Sequence, residues 1–256
     1  LGHPVEVVAD FDERMGHAET LVGMTKRMFK APEGDYIFFQ EDLSQAELRW
    51  AAYLWDVPSM QQAYKEGLDL HILASAKANN MTLDQYNNLA KEDPDRAKML
   101  RFQGKALNFG FLYGMSAETY QEYARVTYGL DLTLAEAKKQ RDAYFALHPG
   151  ILQGHALYIQ KGRDHGWVRT KFGCRRKLPY IHSRNPSRRS GDERIALNSP
   201  VQGSSAQALL FALCVFRHRA RLMGYEGFIT NTVHDSALGW VLREHADGYL
   251  ALLRDT

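Results

Sequence analysis

Residues 228–241 read FITNTVHDSALGWV, two apolar stretches separated by a short polar step. Aromatic and β-branched residues on both sides of a tight polar turn are typical of a β-hairpin. The pattern therefore predicts a strand, a turn that contains Asp235, and a second strand. A carboxylate in such a turn lies at the end of a sheet, where side chains from neighbouring strands can meet.

A third strand is predicted far upstream, where residues 36–42 read YIFFQED. It is rich in aromatic residues, follows the turn signal Gly34-Asp35 and ends at Asp42. Aspartates at strand ends of one sheet can converge and share divalent cations, and their hard oxygen atoms suit Mg²⁺. Two such ions can clamp the attacking and leaving oxygens of a phosphoryl transfer. Ordinary turn chemistry, in which Asp is common, remains an alternative at this point.

The segment between these strands is almost wholly helical from about residue 61 to residue 162. Hairpin-like alternation follows over 166–179, and a long helix is predicted over 191–223. The order of elements is therefore sheet, helical block and sheet again, which favours an α+β fold over a doubly wound one. Breaks in the helical block are predicted at Gly67, Asp93-Pro94, Gly114, Gly129 and Pro149-Gly150.

One helix of the block, residues 101–114, carries an unusual stripe. Arg101, Lys105, Phe109 and Tyr113 recur every four residues, so they form one slanting line on the helix surface. Two cations followed by two aromatic rings suit a ligand with a phosphate end and a flat base end. A partly exposed helix with its aromatic residues in the core is the alternative. Three glycines in this segment argue against that alternative, because glycines lower helix stability and leave room for another group to lie against the helix backbone.

Composition narrows the class of protein. The chain has 256 residues, of which 45% are apolar and 24% charged, so an intrinsically disordered chain is excluded. Residues 161–190 hold ten Lys or Arg against one acid, which is typical of contact with a phosphate backbone, although a solvated loop is the alternative.

The longest apolar run, residues 208–216, is too short to span a membrane, so no membrane partner is expected. Two cysteines favour a reducing, cytoplasmic location.

The first thirty residues are harder to interpret. A short strand is predicted over 5–8 and an amphipathic helix over 19–29. Three acids between them, Asp10, Asp12 and Glu13, have the composition of a metal cluster, but acids after a short strand are usually surface residues.

Six motifs together resemble family A DNA polymerases, the bacterial DNA polymerase I group and its phage relatives. Residues 42–49, DLSQAELR, are similar to the first palm motif of that family, and residues 233–235, VHD, to its last. Residues 101–114 resemble the fingers helix, R-x3-K-x3-F-x3-Y-G. Three further stretches agree in order and spacing: residues 69–71, 166–179 and 194–203.

The resemblance implies a polymerase palm, an antiparallel sheet with helices, into which a mostly helical fingers subdomain is inserted. Residues 1–65 would form an N-terminal segment and the first part of the palm, residues 66–190 the fingers, and residues 191–256 the second part of the palm. The implied reaction is template-directed transfer of a deoxynucleotide to a primer 3′-hydroxyl with release of pyrophosphate. Its partners would be primer–template DNA and dNTPs. Thumb and exonuclease regions would belong to the same longer chain, in the cytoplasm of a bacterial or phage-infected cell.

The same resemblance assigns the metal and phosphate contacts. Asp42 and Asp235, with the Leu43 carbonyl, would hold two Mg²⁺ ions. Arg101 and Lys105 would bind the triphosphate, and Lys105 would also supply a proton to the leaving pyrophosphate. The remaining nucleotide contacts would be Phe109 on sugar and base, Tyr113 at the templating position, Glu47 where a 2′-hydroxyl would lie, and His71 on the phosphates.

Contacts to the primer–template are assigned in the same way, to His234 at the primer end and to Arg194, Asn198 and Gln202 in the minor groove. Simpler roles exist for several of these residues. Ser44 and Glu47 have the spacing of a capping box. Arg194 and Asn198 have the spacing of an ordinary helical surface pair.

One departure from the family pattern affects the metal site: Ser236 follows Asp235 where the family usually has Glu. The loss of a third acid leaves open a non-catalytic nucleic-acid-binding module derived from a polymerase. A single-subunit RNA polymerase shares the architecture, but Glu47 and His234 argue against it.

Overall fold

A computed structural model describes residues 31–256, and it confirms the predicted α+β fold. The strands are β1 (Tyr36–Asp42), β2 (Trp167–Arg169), β3 (Arg175–Lys177), β4 (Gly227–Val233) and β5 (Ser236–Leu242). The helices are α1 (Ala46–Leu54), α2 (Pro58–Lys65), α3 (Leu70–Ala78), α4 (Leu83–Glu92), α5 (Pro94–Phe111), α6 (Ala117–Tyr128), α7 (Leu134–Leu147), α8 (Gly150–His165), α9 (Pro186–Leu222) and α10 (Ala246–Asp255), with a 3₁₀ turn at Arg243–His245. The predicted strand over 5–8, helix over 19–29 and acids at 10, 12 and 13 lie outside the described residues.

The described residues divide into two compact units. The sheet unit consists of the described residues up to Ala46 together with Ser205–Thr256, and the helical unit is Glu47–Ser204. The predicted boundaries of palm and fingers at 65/66 and 190/191 stay predictions, because compactness alone does not assign these subdomains.

In the sheet unit, β5 is the central strand of an antiparallel sheet of order β1-β5-β4. Its pairing with β1 runs from Tyr36 opposite Leu242 to Asp42 opposite Ser236. The predicted hairpin of β4 and β5 is confirmed, with Val233 opposite Ser236 at its tip. The rings of Phe39, Phe216 and Tyr249 pack edge to face beneath the sheet, with centroids 4.8–5.7 Å apart for the pairs that involve Tyr249.

The helical unit has a core of aromatic and aliphatic side chains from α1 to α9. Phe111 lies at its centre, between Tyr120, Tyr144 and Phe145, at ring-centroid distances of 4.3–6.1 Å. All five predicted breaks in the helical block are present: Gly67, Gly114 and Gly129 have positive φ, and Pro94 and Gly150 open new helices.

One further break, between α3 and α4, was missed. Asn80 turns the chain with φ 54°, and Thr82 and Gln85 form a capping box that starts α4. The T-x-x-Q spacing of residues 82–85 is the signal that identifies this helix start.

Two of the glycines of α5 have a structural purpose. A Cβ atom on Gly104 would lie 1.8 Å from the backbone oxygen of His71, and one on Gly110 would lie 2.6 Å from the Tyr120 ring. The room that these glycines leave is therefore filled by α3 and α6, not by a ligand, which corrects the expectation from sequence. The helix predicted over 101–114 ends earlier, at Phe111, so Tyr113 and Gly114 lie in the turn that follows, where Gly114 takes φ 76°.

The long helix α9 begins at Pro186, five residues before the predicted start, and ends at Leu222. It tolerates Pro200 in its interior, and Ser204 Oγ donates a 2.5 Å hydrogen bond to the Pro200 carbonyl. An 18-residue window of α9 is apolar enough to span a membrane by length and composition. This is weak evidence, because the core helix of a globular protein meets the same criterion.

We expect Gly104→Ala to lower the free energy of unfolding by about 1–3 kcal/mol or more, because its methyl group must displace backbone rather than a flexible side chain. Gly191→Ala is the matched control, since nothing lies within 4 Å of a Cβ at that position of α9. It should be stabilising by about 0.5–1 kcal/mol. Urea unfolding of both variants gives the comparison, and equal stabilities would contradict the close packing of α3 on α5.

Candidate active site

In the sheet unit, the backbone brings the two predicted metal ligands together. Asp42 ends β1 opposite Ser236, the residue that follows Asp235. The Leu43 amide donates to the Asp235 carbonyl at 3.1 Å, so the pairing continues just beyond the strand. Adjacent strands lie about 4.7–4.9 Å apart, which places the two aspartates side by side at one end of the sheet.

The turn that carries Asp235 has an uncommon backbone conformation. His234 is exposed and adopts φ 56°, in the left-handed region that non-glycine residues rarely enter. Such a conformation costs on the order of 1–3 kcal/mol and persists only where the surroundings enforce it. Here the flanking pair Val233–Ser236 closes the turn and holds it.

The donor atoms of this pair suit a hard divalent cation. Carboxylates and a backbone carbonyl supply the oxygen ligands that Mg²⁺ takes, and Mg²⁺ commonly uses one or two carboxylates and keeps several waters. Within residues 31–256, no group of three or more His, Cys, Asp or Glu side chains could hold a metal ion. At this end of the sheet Ser236 contributes a hydroxyl instead of a third carboxylate, and that hydroxyl donates to Asp42 Oδ1 at 2.6 Å.

In the helical unit, Arg101 is held by Asp69. Its Nε and Nη2 atoms both lie 2.8 Å from Asp69 Oδ2. Asp69 also caps α3, because Oδ1 accepts hydrogen bonds from the amides of His71 and Ile72. Burial alone would raise the pKa of the Asp69 carboxyl, but the hydrogen bond and charge of Arg101 outweigh it and lower that pKa.

His71 is buried beside this ion pair, with 3% of its surface exposed. Its Nδ1 atom lies 3.1 Å from Asn108 Nδ2, and its ring lies 5.9 Å from that of Phe109. Burial lowers the pKa of His71 to about 4; the cations Arg101 and Lys105 add to this, and Asp69 opposes it. The imidazole is therefore neutral at pH 7. Its predicted contact with phosphate stays a prediction.

Three predicted residues meet at the other end of the stripe. The Tyr113 hydroxyl donates to Glu47 Oε2 at 2.5 Å, and Gln202 Nε2 donates to Glu47 Oε1 at 3.0 Å. Burial, the Glu47 charge and this hydrogen bond together raise the pKa of Tyr113, so it remains a donor. Tyr113, in the turn that follows α5, and Gln202 of α9 thus orient the Glu47 carboxylate. Between the two ends, Lys105 is half-buried and Phe109 is 38% exposed.

The predicted minor-groove residues Arg194, Asn198 and Gln202 lie at every fourth position of α9, along one side of that helix. Arg194 is exposed and donates to Ser190 Oγ at 3.4 Å, within its own helix, and Asn198 is half-buried one turn further on. In the basic segment, Arg169 and Arg175 lie 4.9 and 4.6 Å from the Trp167 ring, so the β2–β3 hairpin presents stacked cations.

Comparison with known proteins identifies the family. Residues 17–256 match the sequence profile of DNA polymerase family A. The chain belongs to DNA polymerase family A. It is 35% identical over 213 residues to DNA polymerase I of Deinococcus radiodurans and 33% identical over 213 residues to DNA polymerase I of Geobacillus stearothermophilus.

Each of these alignments covers 83% of this chain but only 20% and 22% of the relative, so the chain spans about a fifth of the length of these relatives. Among solved structures, the polymerase domain of Pol1 from M. smegmatis, in complex with DNA primer-template and dNTP, matches with a TM-score of 0.78 and 29% identity. This match covers 93% of the chain and 40% of the Pol1 chain.

Within this family A chain, three supporting residues were not assigned a role from sequence. Asp69 stands directly before α3, and an acid before an apolar helical run is a recognisable cap signal. Its bond to Arg101 and the contact of Asn108 with His71 have no such signal, because these partners are 32 and 37 residues apart. The hydrogen bond from Ser236 to Asp42 joins residues 194 positions apart, and no sequence signal predicts it either.

We expect Asp69→Asn to lower the free energy of unfolding by about 1 kcal/mol at pH 7, because it removes the charge that pairs with Arg101 but keeps a capping side chain. Asp69→Ala should cost about 1 kcal/mol more, since the cap is lost too. The lowered pKa of Asp69 makes the ion-pair contribution complete above its ordinary value of 3.8 and progressively lost as the pH falls below it. Urea unfolding at a series of pH values measures this, and an Asn variant as stable as the wild type at pH 7 would rule it out.

Proposed function

We propose that this chain carries the catalytic region of a DNA-directed DNA polymerase that adds a deoxynucleotide to a primer 3′-hydroxyl and releases pyrophosphate. The observation that carries the proposal is the juxtaposition of Asp42 and Asp235 at one end of the sheet. Membership of family A and the likeness to a Pol1 domain bound to DNA primer-template and dNTP support it. Primer–template DNA and dNTPs are accordingly the proposed partners.

Asp42 and Asp235, with the Leu43 carbonyl, are the proposed ligands of two Mg²⁺ ions. The ions would supply charge stabilisation for the attacking and leaving oxygens of the phosphoryl transfer. The aspartates position this charge at a fixed place on the sheet, since both are tied to the β1–β5 ladder.

Arg101 and Lys105 are proposed to bind the triphosphate of the incoming nucleotide. The ion pair with Asp69 pre-orients the Arg101 guanidinium, and the half-buried Lys105 stands one helical turn further along α5. Lys105 Nζ is also the proposed donor of a proton to the leaving pyrophosphate oxygen. The exposed ring of Phe109 would pack on the sugar and base, and Tyr113 would stand at the templating position.

Glu47 is the proposed discriminator of the sugar. Two hydrogen bonds, from Tyr113 and Gln202, hold its carboxylate rigidly, so it can exclude a 2′-hydroxyl by sterics and charge. This proposal disfavours the RNA polymerase alternative, for which a ribose must be accepted.

For the primer–template, His234, Arg194, Asn198 and Gln202 are proposed contacts, and His71 is proposed to contact the nucleotide phosphates. The stacked cations of the β2–β3 hairpin would add sequence-independent attraction to the DNA backbone. The palm and fingers boundaries at 65/66 and 190/191, and a cytoplasmic location, belong to the same proposal.

A non-catalytic DNA-binding module is the second candidate, and a single observation favours it: no third acid accompanies the two aspartates among the described residues. Binding without turnover would be its signature. Primer extension with dNTPs and with rNTPs therefore separates the DNA polymerase, the RNA polymerase and the binding module.

We expect Asp42→Asn and Asp235→Asn each to lower the rate of primer extension by more than about 100-fold, since a direct metal ligand should matter more than the outer-shell groups whose loss costs about 10–100-fold. Asp247→Asn, an exposed carboxylate of the same unit, is the control and should extend normally. Single-nucleotide incorporation with DNA binding measured in parallel is the assay. Normal extension by either active-site variant would refute the metal assignment.

We expect Glu47→Ala to raise ribonucleotide incorporation relative to deoxynucleotides by about 10-fold or more, the size of a discrimination worth 1–3 kcal/mol. Tyr113→Phe removes only the hydroxyl that holds Glu47, so it should show a smaller rise. Glu118→Ala, at an exposed position of α6, is the control. Competition between dNTP and rNTP gives the ratio, and unchanged discrimination in a folded Glu47→Ala protein would leave Glu47 with a structural role only.

A further inference from the structure

Ser236 occupies the place where family A usually has a third acid, and its surroundings differ from those of a surface serine. It is the first residue of β5, lies directly opposite Asp42 and is only 6% exposed. Asp42 itself is exposed. A buried hydroxyl therefore stands behind an exposed carboxylate that is a proposed metal ligand.

The hydroxyl belongs to a chain of two hydrogen bonds. Gln40 Nε2 donates to Ser236 Oγ at 3.3 Å, and Ser236 Oγ lies 2.6 Å from Asp42 Oδ1. An ionised carboxylate only accepts, so the single hydroxyl proton of Ser236 points to Asp42. The amide of Gln40 occupies a lone pair of the same oxygen, which fixes the direction of both bonds. The bond to Asp42 is short, as is typical of a charge-assisted hydrogen bond.

The sheet makes this geometry available. Gln40 and Asp42 point to the same face of β1 because they are two residues apart, and Ser236 lies directly across from Asp42. Gln40 is opposite Leu238 and so diagonal to Ser236, within reach of a long side chain.

We propose that Ser236 is a positioning residue: its hydroxyl, itself held by Gln40, orients the Asp42 carboxylate so that the remaining oxygen lone pairs bind a divalent cation. The inference deepens the proposed function and rests on it. Ligating carboxylates are commonly held by an outer shell of hydrogen bonds, and the loss of such a bond weakens metal binding. Ser236 touches neither substrate nor cation, so it acts only through Asp42.

With serine at position 236, the site has one negative charge fewer than with an acid there, but the Asp42 side chain is held in place by a hydrogen bond. An acid at position 236 would add a negative charge opposite Asp42, and like charges directly across a sheet repel each other. Serine removes that repulsion and one unit of attraction for the cation. The bond that it donates instead fixes one oxygen of Asp42, so less side-chain freedom is lost when a cation binds.

The test is a titration of the full chain with Mn²⁺, in which the electron paramagnetic resonance signal of the free ion measures binding. This measurement does not depend on catalytic turnover. Ser236→Ala removes the donor, Ser236→Thr keeps it, and Gln40→Leu removes only the second bond. We expect about 10-fold weaker Mn²⁺ binding for Ser236→Ala, binding close to wild type for Ser236→Thr, and an intermediate loss for Gln40→Leu. The Mg²⁺ concentration needed for half-maximal extension should shift in the same order, with thermal unfolding temperatures close to that of the wild type.

Unchanged Mn²⁺ affinity in Ser236→Ala would overturn the inference, and so would a wild-type chain that binds no Mn²⁺. Should the threonine methyl prevent folding at this buried position, Gln40→Leu decides, and an affinity equal to wild type would then overturn it. Primer extension by the wild-type chain tests the proposed function separately. A chain that shows the Ser236 effect on Mn²⁺ but extends no primer would retain the positioning role and lose the polymerase assignment.

Discussion

The antiparallel pairing of β1 with β5 is the constraint on which the carboxylate pair depends. It joins segments almost 200 residues apart in sequence, with Asp42 opposite Ser236. Side chains alternate between faces of a strand, so a slip of one residue would turn Asp42 to the opposite face and break its bond to Ser236. The buried ring of Phe39 sets the register, because a slip would also remove it from the core beneath the sheet.

The left-handed backbone of His234 follows from the same register. With Val233 and Ser236 paired, only two residues remain to reverse the chain, and the turns favoured in such short hairpins have a positive φ, as His234 does. Glycine would do so at lower cost. A histidine in that position lowers stability relative to glycine, and strained residues of this kind are common at ligand sites.

In the helical unit, charged and polar side chains from separate segments of the chain pair with one another. Asp69 caps α3 and pairs with Arg101, which lies near the middle of α5. Glu47 accepts a hydrogen bond from Tyr113, which lies in the turn after α5. The close contact at Gly104 brings α3 against α5 and so places the neutral His71 beside this ion pair.

The sequence by itself determined most of the elements and the family to which the chain belongs. Strand β1 was predicted with its observed bounds, and the β4–β5 hairpin and the glycine and proline breaks were predicted at their observed places. These signals are local, because turn residues, caps and periodicity act over a few positions. Only the tertiary structure decided which side chains meet across long separations. The contacts are those of Asp42 with Ser236, Asp69 with Arg101, Glu47 with Tyr113 and Gln202, and Gly104 with the His71 backbone. They leave no periodic pattern in the sequence, because they depend on how separate elements pack.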